Sequence, residues 1–150
     1  MATYLDVVNN VLRRLREPTV TAVNDTDYSR LVGIWINDSK REIEDAHDWN
    51  ALSNTIVVTT TANTRNYTLT GSGQRFTTSD VLNDTDDFSM QAVNRDWLNR
   101  MYYLGTSTPA SPTYYAYNGV DSNGDTKVDV YPKPDGVYSL RFELTIPTVD

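Results

Sequence analysis

The spacing of hydrophobic residues changes once along this chain, near residue 52, and that change limits the fold more than any other feature. Before it, Leu5, Val8, Leu12 and Leu15 recur at the spacing of one helix face. Thr3 and Asp6 form a capping signal ahead of them, and Pro18 stops the run. A Thr/Val/Asn linker follows, with Asp25 or Asp27 placed to cap a longer helix. On that helix Tyr28, Leu31, Val32, Trp35, Ile36, Ile43 and Ala46 make one apolar stripe, and Asp38, Lys40, Arg41, Glu42 and Glu44 lie mostly outside it. Two amphipathic helices joined by a loop predict a helical hairpin over residues 1–52.

From Ser53 the period becomes two. Ile56 and Val58 alternate with threonines, and Tyr67 and Leu69 with Asn66 and Thr68, with Ala62-Asn63 between them as a hairpin turn. Gly71-Ser72-Gly73 reads as a turn, Arg75 to Thr78 as a strand, Asn83 to Asp87 as an exposed loop and Ser89 to Val93 as a further strand. Asn94 is placed to cap a short helix near 94–103 that carries Trp97, Leu98, Met101 and Tyr102. Thr113 to Tyr117 and Lys127 to Tyr131 flank Asn123-Gly124, a type I′ hairpin signal. After Pro132, Pro134 and Gly136, the residues Tyr138, Leu140, Phe142, Leu144 and Ile146 alternate with polar ones. One wet and one buried face predicts antiparallel pairing. The fold class expected is α+β: an N-terminal helical hairpin, then an antiparallel β-rich domain over 53–150 with one short helix.

Composition then narrows the chemistry. With no cysteine and one histidine, thiolate catalysis, sulfur-ligated metals and multi-His metal sites are excluded. The chain carries 13 basic and 20 acidic residues, a net charge of −7, and the acidity is spread through all three thirds of the sequence. That excludes a broad basic face for gripping phosphates. No apolar run nears the ~20 residues of a membrane span. Sixteen of the 20 acids are Asp, a residue of caps and turns, so the acids read first as loop chemistry.

Each motif that could carry chemistry has a plainer reading. Asp121-Ser122-Asn123-Gly124-Asp125 lacks the Gly and acid positions of a calcium-binding EF-hand loop and reads as a turn. Asp84, Asp86 and Asp87 could hold a hard cation but read as a solvated acidic loop. His47 falls near the end of the second helix, where a cation suits the helix dipole, and no nucleophile turn accompanies it. Gly71-Ser72-Gly73 lacks the Lys of a phosphate loop. Arg13, Arg14 and Arg16 are the one tight basic cluster; they complement the helix terminus or contact an acidic partner subunit. Tyr114, Tyr115 and Tyr117, with Tyr102 and Tyr103, divide under strand alternation between core and interface. No catalytic residue, cofactor site or metal site is expected. Arg13, Arg14, Arg16, Tyr114 and Tyr115 are the interface candidates.

The order of these features resembles the head–tail connector, or adaptor, proteins of tailed bacteriophages. The resemblance rests on Arg16-Glu17-Pro18 after the first helix, Asp48-Trp49 after the second, and Asp96-Trp97 within the Val93 to Tyr102 segment. It rests most on the last block: Gly105, Pro109 or Pro112, Tyr114-Tyr115, then Tyr131-Pro132-Lys133-Pro134-Asp135 before the final strand. It implies a structural virion protein of the phage neck, made in the host cytoplasm, with no enzymatic activity. Such adaptors form a ring under the portal, typically of twelve subunits, through which DNA passes, and present a surface to the next neck or tail protein. The resemblance places the Tyr28 to Ala46 helix in the ring wall and the Ser53 to Ile146 sheet in an appended domain. Members often continue into further helix after the last strand, whereas this sequence ends at Asp150; that implies a shorter variant or a different docking geometry at the portal. A glycan-binding module of another tail or baseplate component, using Trp97 or Tyr115, and a cell-wall hydrolase using an Asp pair are the competing readings.

Overall fold

Thr3 opens helix α1 (Tyr4–Arg14) with a reciprocal cap: Asp6 N–H donates to Thr3 Oγ1 at 3.2 Å, and Thr3 N–H donates to the Asp6 carboxylate at 2.9 Å. The far end closes in a Schellman motif, in which Glu17 N–H donates to Leu12 O and Arg16 N–H to Arg13 O. Arg16 holds the left-handed position at φ 63°. The computed structural model describes residues 2–148, which fall into two compact units, one ending at Asp48 and one spanning Trp49–Thr148.

Helix α2 (Asp27–Ala46) starts differently from the expectation. Its cap is Thr26, which accepts from Ser29 N–H at 3.0 Å while Ser29 Oγ accepts from Thr26 N–H at 3.1 Å. Neither Asp25 nor Asp27 caps it. The Asp25 carboxylate is taken by the linker, accepting from Thr21 N–H and Ala22 N–H at 2.8 and 2.7 Å. Asp27 is already helical and faces solvent beside Arg30.

In the second unit a single 3-10 turn (Asn50–Leu52) leads into eight strands: β1 Ser53–Thr59, β2 Asn66–Thr68, β3 Thr77–Asn83, β4 Phe88–Ser89, β5 Gln91–Ala92, β6 Tyr114–Val120, β7 Thr126–Tyr131 and β8 Ser139–Thr145. Helix α3 (Arg95–Tyr103) lies between β5 and β6 in the chain and is capped by Asn94, whose side chain accepts from Asp96 N–H. The strands make two four-stranded sheets, ordered β1-β8-β3-β4 and β2-β7-β6-β5. The architecture is α+β with a helical N-terminus.

Four local expectations change here. Ala62-Asn63 is not a hairpin turn, because β1 pairs with β8 and β2 with β7, so the segment passes from one sheet to the other. The strand expected over Arg75 to Thr78 runs from Thr77 to Asn83, and Asn83 is fully buried rather than in an exposed loop. Ser89 to Val93 is split: β4 pairs with β3, β5 runs parallel to β6, and buried Met90 crosses between the sheets. Pairing is otherwise antiparallel. Finally, the β6–β7 connection is not type I′, which needs positive φ at both central residues. Only Gly124 has it, at 87°; the loop is a tight turn closed by Gly124 N–H on Asp121 O, and Gly124, its last residue, holds the left-handed position.

The sheets pack on each other through Val58, Val81, Leu140, Phe142 and Leu144 from one and Leu69, Tyr115, Val128 and Val130 from the other. The opposite face of the second sheet is covered by α3. There Trp97 packs on Tyr114 and Tyr131 with ring centroids 5.1 and 5.8 Å apart, and Tyr102 on Tyr131 at 5.2 Å.

Beneath α3 lies a buried charge. Asp129 is fully buried and accepts from Arg65 at 2.9 Å, Asn66 at 2.5 Å and Asn118 at 3.1 Å. The Arg65 guanidinium also lies 4.8 Å from the Tyr102 ring centroid and donates to Asn99 of α3. Both carboxylate oxygens thus find donors, one of them cationic, which is the condition for a charge to be kept inside.

Candidate assembly interface

The helical unit has a small core for its apolar content. Val8, Leu12 and Val32 are its fully buried hydrophobic residues, with Val11, Val20, Val23 and Ile36 packed around them. Two devices hold the helices and linker together. Asn9 brackets Val20 with two bonds, donating to its carbonyl at 3.0 Å and accepting from its N–H at 2.9 Å. Tyr4 Oη donates to Gly33 O at 2.8 Å, and a Cβ at Gly33 would meet that hydroxyl and Val23 Cγ1 at 2.9 Å. Only glycine permits the approach.

Most of the α2 stripe is not spent on this core. Of the residues expected on it, Val32 is buried and Ile36 half-buried, whereas Trp35 is 53 % and Ile43 58 % exposed, and Leu31, Tyr28 and Ala46 are exposed too. Beyond Gly33, which Tyr4 at the start of α1 reaches, the cause is length; Tyr28 and Leu31 precede that point and are not explained by it. Helix α1 has 11 residues and α2 has 20, so the partner helix runs out. Between them remains a groove of about 430 Å³, lined by Val7, Val11, Val32, Trp35, Ile36 and Ile43 with Ser39 and Lys40. Burying a side chain of this size is worth ~1.5–3 kcal/mol, so such a face favours being covered. The sequence stripe pointed at α2 but not at the groove, and Val7 and Val11 of α1 were missed as lining residues.

Asp6, in the first turn of α1, and Asp25, in the linker, both hold their carboxyl protons less tightly than usual. The main cause is the backbone N–H groups they accept from, those of Thr3 and Ala22 respectively.

The structure does not bring the five interface candidates to one place in the fold. Arg13, Arg14 and Arg16 are exposed at the end of α1. Tyr114 is half-buried under Trp97. Tyr115 is 7 % exposed, edge-on to Phe142 at 6.0 Å, and burial pushes its hydroxyl up to about 12. Its ring serves the sandwich core.

The acidic motifs are engaged by backbone N–H groups or by neighbouring side chains. Asp121 accepts from the N–H groups of Asn123 and Asp125, and Asp125 from those of Gly71 and Gly73, which ties the glycine turn to the β6–β7 loop. Asp84 pairs with Arg141 at 2.9 Å, and Asp86 accepts from the Ser111 hydroxyl. His47 is the residue that ends α2. Among the described residues no group of three or more His, Asp or Glu could hold a metal, and no helix is long and apolar enough to cross a membrane.

Comparison with known proteins gives one result. No curated protein matches the chain. The family model described as SU10 adaptor protein matches it over residues 2–149, both units together. A helical hairpin with an exposed apolar face is followed by a β-sandwich in which Asp121 and Asp125 order loops and Asp129 and Glu143 are engaged on strands. The chain belongs to the SU10 adaptor protein family, the head–tail adaptors of tailed bacteriophages.

Proposed function

We infer that this protein is a non-catalytic component of the phage neck that assembles into a ring between portal and tail, with DNA passing through its centre. The observation that carries the reading is the α1–α2 groove, an apolar surface on a unit with few buried side chains, in a chain whose family is structural. In the ring, the groove receives a neighbouring subunit or the portal. Exposed Arg13, Arg14 and Arg16 lie beside it in sequence and supply the cationic contacts to an acidic partner. The net charge of −7 suits a channel that DNA traverses without adhering, since each Lys–phosphate contact adds salt-dependent attachment.

Native mass spectrometry of the purified chain, alone and with its portal, tests this. A cyclic oligomer or a portal-bound ring is the expected species, and Trp35→Ser should weaken it while the β unit keeps its circular dichroism. A monomer that ignores the portal and the tail proteins at every concentration refutes the reading.

A further inference from the structure

Leu31 and Ile34 are apolar residues of α2 that neither the hairpin core nor the groove accounts for. They are 40 % and 53 % exposed, and both are absent from the groove lining. Residues three apart share a helix face, so the two make one ridge. At about 100° per residue, the ridge points about 150° round the helix from the mean direction of Val32, Ile36 and Ile43, which line the groove. The helical unit thus carries two apolar surfaces, a groove and a ridge, on separate sides of α2.

Both surfaces are flanked by charge, of opposite sign. The row Asp27, Leu31, Ile34, Asp38 follows one helix face, so an acid closes the ridge at each end. Arg30 approaches Asp27 at 3.4 Å but leaves its side chain 98 % exposed, and Asp38 is exposed as well. Past Asp38 the row continues with Arg41 and Asp45, which offset each other in charge. The groove has Lys40 in its lining and, among the described residues, no acid there. Exposed Arg14 lies one turn beyond Val11 on the same face of α1.

We propose that the ridge of one copy seats in the groove of the next, with Leu31 and Ile34 entering between Val7 and Ile43 and the ridge acids facing Arg14 and Lys40. This contact presupposes the ring proposed above and names the two surfaces that meet in it. Charge selects the occupant: an acid-flanked ridge fits a cation-flanked groove, whereas ridge on ridge or groove on groove sets like charges together. Coverage selects it as well. A partner of another kind would cover one surface and leave the other bare, while this contact covers both on every subunit. Because the two surfaces differ, the contact is heterologous, so each copy repeats the orientation of the last and the series closes as a ring when the rotation allows.

Native mass spectrometry of the full chain, alone and with its portal, tests it, with Ile34→Lys on the ridge and Val7→Lys in the groove. Both positions are exposed, Val7 at 39 %, so far-ultraviolet circular dichroism should match the wild type. Each variant alone should lose the cyclic species, its association weakened by about tenfold or more. Mixed in equal amounts, at the concentration where the wild type closes its ring, the two should form a one-to-one dimer and go no further. The I34K chain still offers an intact groove and the V7K chain an intact ridge, while the crosswise pairing sets Lys against Lys. A ring that I34K leaves unchanged overturns the proposal and leaves the ring itself standing. So does an I34K chain that closes its ring but no longer binds the portal, which makes the ridge a portal contact. A mixture without the dimer overturns it too. A wild type that forms no ring, alone or on its portal, removes the ring and this contact with it.

Discussion

Asp129→Asn is the sharpest test of the β unit, because it removes one charge and almost no volume. The carboxylate is fully buried between Arg65, Asn66 and Asn118, all of which donate to it. Asn66 can turn its own amide over and accept from the new side chain, so the loss is chiefly the charge facing Arg65. Breaking a fully buried pair costs ~3–5 kcal/mol. Arg65 keeps 24 % side-chain exposure, and water screens part of its stranded charge, so about 2–3 kcal/mol is expected. For a unit of this size that lowers the melting midpoint by about 10–20 °C. Urea unfolding followed by near-ultraviolet circular dichroism reads it, since Trp97, Tyr114, Tyr131 and Tyr102 stack just outside the pair. In a cycle with Arg65→Met, the double variant should be less destabilised than the sum of the singles. A loss under ~1 kcal/mol for D129N, or an additive cycle, would show that the pair is not coupled as its geometry requires.

Gly33→Ala should destabilise the helical unit by about 1 kcal/mol, read in far-ultraviolet melting, because overpacking against Tyr4 and Val23 outweighs alanine's better helix propensity. Arg16→Gly should stabilise it by up to ~1 kcal/mol, since the left-handed backbone there strains a side-chain-bearing residue; the urea midpoint checks the sign. At alkaline pH, burial holds the Tyr102 and Tyr115 hydroxyls above their usual 10.0, Tyr115 at about 12. The folded state therefore binds those protons more tightly, so stability is complete below pH 10.0 and falls as pH rises toward 12. Tyrosinate absorbance should show these rings ionising together with unfolding rather than before it. On the acid side the lowered Asp6 and Asp25 act oppositely. Their contribution is present above the ordinary 3.8 and is lost as pH falls below it, which helicity against pH will show.

What could be read from the sequence was local. The Thr3–Asp6 box, the Asn94 cap and the alternation of Leu140, Phe142 and Leu144 each depend on residues a few positions apart, and all are present. The α2 cap was misassigned because two aspartates flank Thr26 and the linker's N–H groups compete for one of them. The Ala62-Asn63 turn and the Ser89 to Val93 strand failed for a non-local reason. Sheet membership is decided by which apolar faces meet, and spacing along the chain is silent on that. Asp129 shows the same limit. Alternation between Val128 and Val130 marks it as outward-facing, which is right for its sheet, but the outer face is roofed by α3. The candidate interface was half legible: the stripe on α2 is in the sequence, and its exposure depends on how far α1 reaches.

That exposure has a thermodynamic consequence for assembly. The helical unit, ending at Asp48, fully buries Val8, Leu12 and Val32 among its hydrophobic residues and leaves Trp35 and Ile43 more than half exposed. Units near this size, below roughly 40–60 residues, are marginal when they must fold on their own core. The caps at Thr3 and Thr26 and the Asn9 bracket add of order 1 kcal/mol each, enough to shape the hairpin but not to replace a core. Covering Trp35, Ile36 and Ile43 would contribute several kcal/mol more, at ~1.5–3 kcal/mol per large side chain. Anything that binds the folded hairpin and not the unfolded one stabilises it by mass action. Under the neck reading, docking therefore both places the subunit and firms its helices. Native-state hydrogen exchange should then show amides of α2 protected far more in the assembly than in the free chain, while those of β7 and β8, already in a closed core, change little. Equal protection of α2 in both states would separate its folding from assembly and leave the groove without that role.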